Sequence, residues 1–165
     1  MKKISAAIIL FAVIMLSSCG GASMSELLSY QNESFTAEMT VKSGEMSMPV
    51  TVVKDGGTYT FVLDERYTFV YGGEKWSVSY SGLSVPISKD AAKRSVPQKL
   101  LDAMTQKAGG GWKITEQTEG DRTLLCCEQS DAGLTLFIDA ETNLPTKIIC
   151  DGLECVIDKI EIAKK

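Results

Sequence analysis

The sequence predicts an α+β domain, in which about ten antiparallel strands are interrupted by one helical insert. Three observations predict this fold class. Apolar and polar residues alternate with a period of two along most of the chain, as they do in half-buried strands. Short turns that contain glycine separate the alternating runs. Only the stretch between Ser88 and Gln106 combines apolar residues at helical spacing with helix-capping residues.

The chain begins with the pattern of an export signal. Lys2 and Lys3 precede an apolar run from Ile4 to Leu16, which is too short to span a bilayer. The run ends in Leu16-Ser17-Ser18-Cys19, which resembles the lipobox of bacterial lipoproteins. This resemblance implies that Cys19 is lipidated, that residues 1–18 are removed, and that the protein is extracytoplasmic and anchored to a bacterial membrane. In the alternative, the segment remains as an uncleaved signal anchor and Cys19 has no special role.

The remaining chain is predicted to contain a tether and one domain. Residues 19–33 are expected to hold the lipidated cysteine and a tether that runs into a short helix at Leu27 and Leu28. Ser25 and Leu28 do not form a capping box, so support for this helix is weak. Residues 34–165 are expected to form the sheet domain.

The alternating runs predict the strands in order. Pro86 cannot donate a backbone hydrogen bond, so the strand that contains it is expected at a sheet edge. In the helical insert, Ser88 is placed to cap a first turn, Pro97 suits the start of a helix, and Gly109 begins the glycine run that ends the insert. The predicted strands are Phe35–Val41, Met46–Val52, Tyr59–Leu63, Thr68–Tyr71, Trp76–Tyr80 and Leu83–Ile87 before the insert, and Trp112–Glu116, Thr123–Glu128, Leu134–Ile138, Thr146–Cys150 and Cys155–Ile162 after it.

Composition restricts the class of partner. Removal of residues 1–18 leaves 147 of the 165 residues, which is enough for one domain with its own core. Two of the 17 basic residues lie in the removed segment, which leaves 15 basic against 21 acidic side chains. A nucleic-acid partner would require a basic face, so none is expected.

The sequence supports no catalytic site, cofactor or metal. The chain contains no histidine, which excludes Ser-His-Asp and Cys-His nucleophiles and removes the commonest metal ligand. The acidic pairs Asp64-Glu65 and Asp139/Glu141 lie in predicted turns, where carboxylates serve local hydrogen bonding. A hydrolase that used carboxylates alone would need two acids to converge in a cleft.

Four cysteines follow Cys19, and their pairing is left open by the sequence. Cys150 and Cys155 flank a predicted turn and could form a disulfide across a hairpin. The alternative is that these two and the adjacent Cys126 and Cys127 are free, buried thiols that pack as small apolar residues. The paired short spacings of a four-cysteine zinc site are missing.

Two local sequences resemble the LolA/LolB-like lipoprotein-carrier superfamily. They are Tyr67-Thr68-Phe69-Val70-Tyr71-Gly72-Gly73-Glu74-Lys75-Trp76 and Leu134-Thr135-Leu136-Phe137-Ile138-Asp139-Ala140-Glu141-Thr142-Asn143-Leu144-Pro145-Thr146-Lys147-Ile148, and the similarity covers about residues 34–162. The resemblance implies a strongly curved open half barrel with a helical lid and an apolar concave face that can hold acyl chains. Thr60 stands where the soluble carrier has an arginine that latches the lid, so binding of a lipid or another apolar ligand is expected rather than shuttling of lipoproteins.

A predicted ligand face follows from the strand pattern and this resemblance. Methionine is unbranched and polarizable, and it suits surfaces that adapt to different apolar guests. The face is expected to include Met46 as well as the predicted ligand residues, which are Met39, Met48, Tyr59, Phe61, Phe69, Tyr71 and Trp76 on strands, and Leu100, Leu101 and Met104 on the lid.

Two functions remain open at this point. In the first, the protein is a membrane-anchored envelope lipoprotein that binds a lipid or acyl chain in a concave face. In the second, it is a structural or regulatory lipoprotein that docks another envelope protein through a solidly packed sheet. An internal cavity of several hundred cubic ångströms would favour the first function, since typical ligand pockets have that size, and a filled interior would favour the second.

Overall fold

The structure is a computed structural model that describes residues 22–163. The predicted export signal, the lipobox and Cys19 therefore lie outside the described residues. No helix in the described part of the chain is long and apolar enough to cross a membrane.

Eleven antiparallel strands form one sheet, and a few short helices accompany it, so the predicted antiparallel sheet is confirmed and the fold is mostly β. The strands are β1 (Phe35–Ser43), β2 (Met46–Asp55), β3 (Thr58–Leu63), β4 (Tyr67–Gly72), β5 (Lys75–Tyr80), β6 (Leu83–Ile87), β7 (Trp112–Glu119), β8 (Arg122–Gln129), β9 (Leu134–Asp139), β10 (Pro145–Cys150) and β11 (Leu153–Ile162). The helices are α1 (Met24–Leu27), α2 (Lys89–Ala92) and α3 (Val96–Met104), with 3-10 helices at Ser29–Asn32 and Ser130–Ala132.

The strand order is β6-β5-β4-β3-β2-β1-β11-β10-β9-β8-β7, so the first and last strands pair at the middle of the sheet. Phe35 lies opposite Ile162 in that pairing, and a bulge interrupts the register between Glu38 and Met39. The outermost strands are β6 and β7, which confirms the edge position expected from Pro86. Since α2 and α3 connect these two edge strands, the helical insert has to cross a face of the sheet.

The sheet bends around α3 but stays open. Gln98 of α3 accepts a hydrogen bond from Trp76 on β5, and the carbonyl oxygen of the next residue, Lys99, lies 3.9 Å from the sulfur of Cys150 on β10. Six strand spacings separate β5 from β10, roughly 29 Å in a flat sheet, whereas nine helical residues span only about 13 Å. The edge strands nevertheless do not pair. The strong curl of a half barrel was therefore an overestimate, and the sheet is a bent, open one.

The core lies on the sheet face that α3 covers, here called the inner face. Along β1, Phe35, Ala37, Met39 and Val41 are buried in alternation, as a strand with one covered face requires. Buried residues of both halves of the sheet join those of α1 and α3 in one cluster. Ser88 and Ser95 cap α2 and α3, which confirms the predicted helical insert.

The described part of the segment before β1 is folded into two short helices. The hydroxyl of Ser23 accepts the backbone N–H of Glu26, and the carboxylate of Glu26 accepts the backbone N–H of Ser23 at 2.8 Å. This capping box starts at Ser23, two residues before Ser25. Met24, Leu27, Leu28 and Tyr30 are buried in the common core, and the short helix expected at Leu27 and Leu28 is α1.

Candidate functional site

The predicted ligand residues lie together on the inner face and on α3. Seven of them are buried in the common core, namely Met39, Tyr59, Phe61, Trp76, Leu100, Leu101 and Met104. Three are half-buried and pack against that core, namely Met48, Phe69 and Tyr71. The residues that the sequence grouped are therefore neighbours in space, as a shared strand face requires.

The interior beneath α3 is filled by side chains. Phe61 and Leu100 have exposed fractions of 0%, and Met104 has 1%. A cavity of several hundred cubic ångströms would leave room for water beside the residues that line it, and these three have none. The ring of Phe61 lies 5.8 Å from that of Trp76 and 6.4 Å from that of Tyr59. The core directly beneath α3 is thus filled by the protein's own groups, and a cavity of about 380 Å³ lies at its margin, lined by Tyr71, Trp76 and Leu101 together with polar side chains.

Two adjacent residues near the start of α3 hold the helix to opposite halves of the sheet through a hydrogen bond and an ion pair. The indole N–H of Trp76 donates to Gln98 Oε1 at 2.8 Å, and Gln98 Nε2 donates to Asp102 Oδ1 at 2.8 Å. On the opposite side, Lys99 Nζ lies 2.9 Å from the carboxylate of Asp151. Thr60 lies next to Phe61 on β3 and so faces away from α3, which means that it could not serve as a latch.

Replacing Gln98 with alanine is expected to loosen α3, because it leaves the buried indole N–H of Trp76 without an acceptor. The cost in free energy of unfolding should be roughly 1–3 kcal/mol. Urea unfolding measures this cost, and amide hydrogen exchange along Leu101–Thr105 should accelerate. The matched control is Gln117→Ala on exposed β7, which should change stability by less than about 0.5 kcal/mol. Equal effects of the two substitutions would show that this contact does not hold the helix.

Beyond α3 the inner face continues as an exposed apolar surface, here called the open patch. It consists of Met46, Tyr67, Tyr80, Leu83 and Val85, which are five of the seven large apolar residues exposed in the described part of the chain. Strand register assigns them to the inner face, because directly paired residues share a face. Phe61 pairs with Phe69, Phe69 with Val78, and Val78 with Val85.

Exposure rises steadily along the rows of this face towards β6. Phe61 on β3 is fully buried, Phe69 on β4 and Val78 on β5 are half-buried, and Val85 on β6 is 53% exposed. In the next row, Tyr67 stacks on Tyr80 with ring centroids 5.0 Å apart, and Leu83 opposite Tyr80 is the most exposed of all at 76%. The open patch is therefore a continuation of the core that the helices leave uncovered.

Carboxylates border one end of the open patch. Glu45 lies in the turn before Met46, and Asp64 and Glu65 lie in the turn between β3 and β4. Arg66 is the single basic residue of these turns, and its guanidinium lies 3.6 Å from the carboxylate of Asp64. The end of the patch therefore carries a local excess of negative charge.

The acidic pairs examined for catalysis have structural roles or lie in exposed turns. Asp139 Oδ1 accepts the backbone N–H groups of Glu141 at 3.0 Å and of Thr142 at 2.9 Å. These hydrogen bonds, with that of Thr142 first, lower the pKa of Asp139, as expected for a turn carboxylate that stays ionised. Within residues 22–163, no group of three or more cysteine or acidic side chains is placed to hold a metal ion.

The four cysteines of the domain are buried and unbonded. Cys155 pairs with Ile148 and Cys150 with Leu153, so the two thiols are diagonal rather than directly opposite each other. Burial raises the pKa of Cys127 and Cys150 to about 11 and that of Cys155 to about 12. The reactive thiolate form is therefore suppressed at neutral pH.

In the chain from residue 19 carrying Cys19→Ser, Ellman's reagent is expected to label the four thiols slowly in the folded protein and completely after denaturation. Because the folded pKa values lie above the unfolded value of 9.0, stability is retained below pH 9 and falls as the pH rises from 9 towards 12. Urea unfolding between pH 7 and pH 11 measures this loss. Two thiols that stay unreactive after denaturation until a reductant is added would reveal a disulfide instead.

No family model and no curated protein matches the chain. Among solved structures, the chain is similar to MucB of the MucA/MucB complex from Pseudomonas aeruginosa, at 14% identity and a TM-score of 0.43, over 86% of this chain and 56% of that chain. It is similar to LprF from Mycobacterium bovis, at 12% identity and a TM-score of 0.45, over 83% and 90% of the two chains. A DUF1329 family protein from Desulfovibrio piger gives 10% identity and a TM-score of 0.43, over 84% and 91%. The chain spans between 53% and 60% of the MucB chains that it matches.

Proposed function

We propose that the protein is a membrane-tethered envelope domain that binds a hydrophobic guest on the inner face of its sheet and performs no chemistry on it. The lipid on Cys19 supplies the tether, and the open patch supplies the binding surface. The half-buried residues Met48 and Phe69 lie two residues from Met46 and Tyr67 on the same face, at the boundary between that surface and the core, whereas Tyr71 lies at the other end of β4 beside Trp76.

The observation that carries this proposal is the clustering of exposed apolar side chains on one face. Soluble domains rarely expose contiguous apolar surface, and where they do it usually marks a binding site. Tyr67, Tyr80 and Leu83 are in register across three neighbouring strands, so their exposure is continuous rather than scattered. Aromatic and methionine side chains offer large apolar area that adapts to a guest.

The absence of chemistry is supported by the residues present. The chain contains no histidine, the thiols are buried, and the Asp139 carboxylate is engaged by the backbone of its own turn. The filled interior supports a guest that lies on the sheet, as in the docking alternative, rather than an acyl chain enclosed beneath α3.

Binding of the apolar dye 1-N-phenylnaphthylamine tests the proposal. The chain from residue 19 carrying Cys19→Ser retains every described residue, and it should bind the dye with an increase in fluorescence. Tyr80→Ser combined with Leu83→Ser should weaken this binding at least tenfold without loss of fold, since both side chains are exposed. The matched control is Ile149→Ser, which removes an exposed apolar residue of β10 away from the patch. Equal dye binding by the two variants would contradict the proposed surface.

A further inference from the structure

We infer that the guest of the open patch is a basic amphipathic helix of another protein, an inference that rests on the function proposed above. Shape, backbone chemistry and charge each restrict what can occupy this surface, and the three restrictions are independent of one another.

The first restriction is that the guest docks through side chains and not by adding a strand. β6 is the free edge beside the open patch, and its pairing with β5 starts at Tyr80 and Leu83 across a two-residue turn. From that turn, residues of β6 alternate between those whose backbone groups bond to β5 and those whose backbone groups point away from it. The backbone groups of Ser84 and Pro86 therefore point to the free edge. Proline has no N–H, so this short edge offers only one outward donor between Leu83 and Ile87, and strand addition is disfavoured.

The second restriction is the size of the surface. Met46 on β2 lies four strand spacings from Leu83 on β6, roughly 19 Å, and four residues along the strand from the row of Leu83, roughly 13 Å, so the open patch is oblique and roughly 23 Å long. A helix that lies obliquely across these strands covers that distance with about 15 residues, since each residue adds about 1.5 Å. Anchors at i, i+3, i+4 and i+7 would contact the stacked rings of Tyr67 and Tyr80 and the neighbouring aliphatic groups.

The third restriction is charge. Three carboxylates border the patch, those of Glu45, Asp64 and Glu65. The single basic side chain of these turns is Arg66, which is already close to Asp64. The whole chain also carries a formal net charge of -4. Anionic lipid headgroups would be repelled by this border, whereas lysine or arginine at one end of a docked helix would be attracted to it.

The test uses two synthetic amphipathic peptides of about 15 residues that share one leucine and methionine face. One peptide has lysine at the terminal positions outside that apolar face, and the other has glutamate at the same positions. Fluorescence anisotropy with the chain from residue 19 carrying Cys19→Ser should show at least tenfold tighter binding of the lysine peptide at low salt, and the preference should shrink as salt is raised. Tyr80→Ser with Leu83→Ser should weaken this binding at least tenfold, while Ile149→Ser should leave it unchanged. Glu45→Gln with Glu65→Gln should reduce the preference for lysine.

Other outcomes overturn the inference in distinguishable ways. Equal binding of the lysine and glutamate peptides would remove the charge argument and with it the basic partner. Binding of phosphatidylglycerol vesicles through the open patch, with neither peptide bound, would identify a lipid guest, so that the inference fails and the proposed function stands. If the protein binds neither the peptides nor the vesicles nor the dye, both the inference and the proposed function are wrong.

Discussion

Replacing Phe61 with alanine is expected to lower the free energy of unfolding by roughly 3–5 kcal/mol. The ring is completely buried and lies between Tyr59 and Trp76, at the point where the sheet meets α3. Removal of the ring takes apolar area out of the core and leaves a void that neighbouring rings cannot fill without shifting. Since domains are stable by about 5–15 kcal/mol, the variant should be close to the limit of folding. Urea unfolding, followed by tryptophan fluorescence, measures the effect.

Phe69 on the adjacent strand is the matched control. It occupies the same row of the inner face but is only half-buried, so Phe69→Ala should cost roughly 1–2 kcal/mol. A cost for Phe61→Ala as small as that of the control would mean that the interior is loosely filled in solution. The enclosed ligand cavity expected from the sequence would then return as the better description.

Replacing Cys19 with serine is expected to move the protein from the membrane fraction to the soluble fraction. Each buried methylene of an acyl chain contributes about 0.8 kcal/mol, so two chains supply roughly 20 kcal/mol of nominal membrane affinity. The described residues contain no helix that could replace this anchor. Fractionation by ultracentrifugation measures the shift, and mass spectrometry of the mature amino terminus identifies the thioether-linked diacylglycerol.

Gly21→Ser provides the control, because it changes a neighbouring residue and retains the thiol of Cys19. This variant should remain in the membrane fraction. Unchanged membrane attachment of Cys19→Ser would favour the uncleaved signal anchor instead, and the proposed tether through a lipid would be withdrawn.

Local patterns in the sequence predicted the strands well, because a period of two is a property of neighbouring residues. Phe35 to Val41, for example, alternate in the sequence and are buried alternately in β1. The pairing of β1 with β11 joins residues more than a hundred positions apart, and no local pattern contains that information. The extent of sheet bending also depends on such distant contacts, which is why the strong curl inferred from the resemblance was too large.

The sequence predicted which side chains share the inner face but not which of them are exposed. Alternation assigns Phe61 and Val85 to the same face, but it does not tell which part of that face a helix covers. The predicted ligand residues are mostly buried in the core, while Tyr67, Tyr80, Leu83 and Val85 continue the same pattern and are exposed. The proline in β6 predicts a property of the backbone of that strand and not the exposure of its side chains.

If Cys19 carries the proposed lipid, the capping box at Ser23 determines how far the domain can move from it. Four peptide units separate Cys19 from Ser23, and a fully extended chain of that length reaches at most about 14 Å. This linker is shorter than the width of the sheet. With the lipid on Cys19, the domain stays close to the surface of one bilayer. Any molecule that it binds must therefore approach that bilayer or already reside in it.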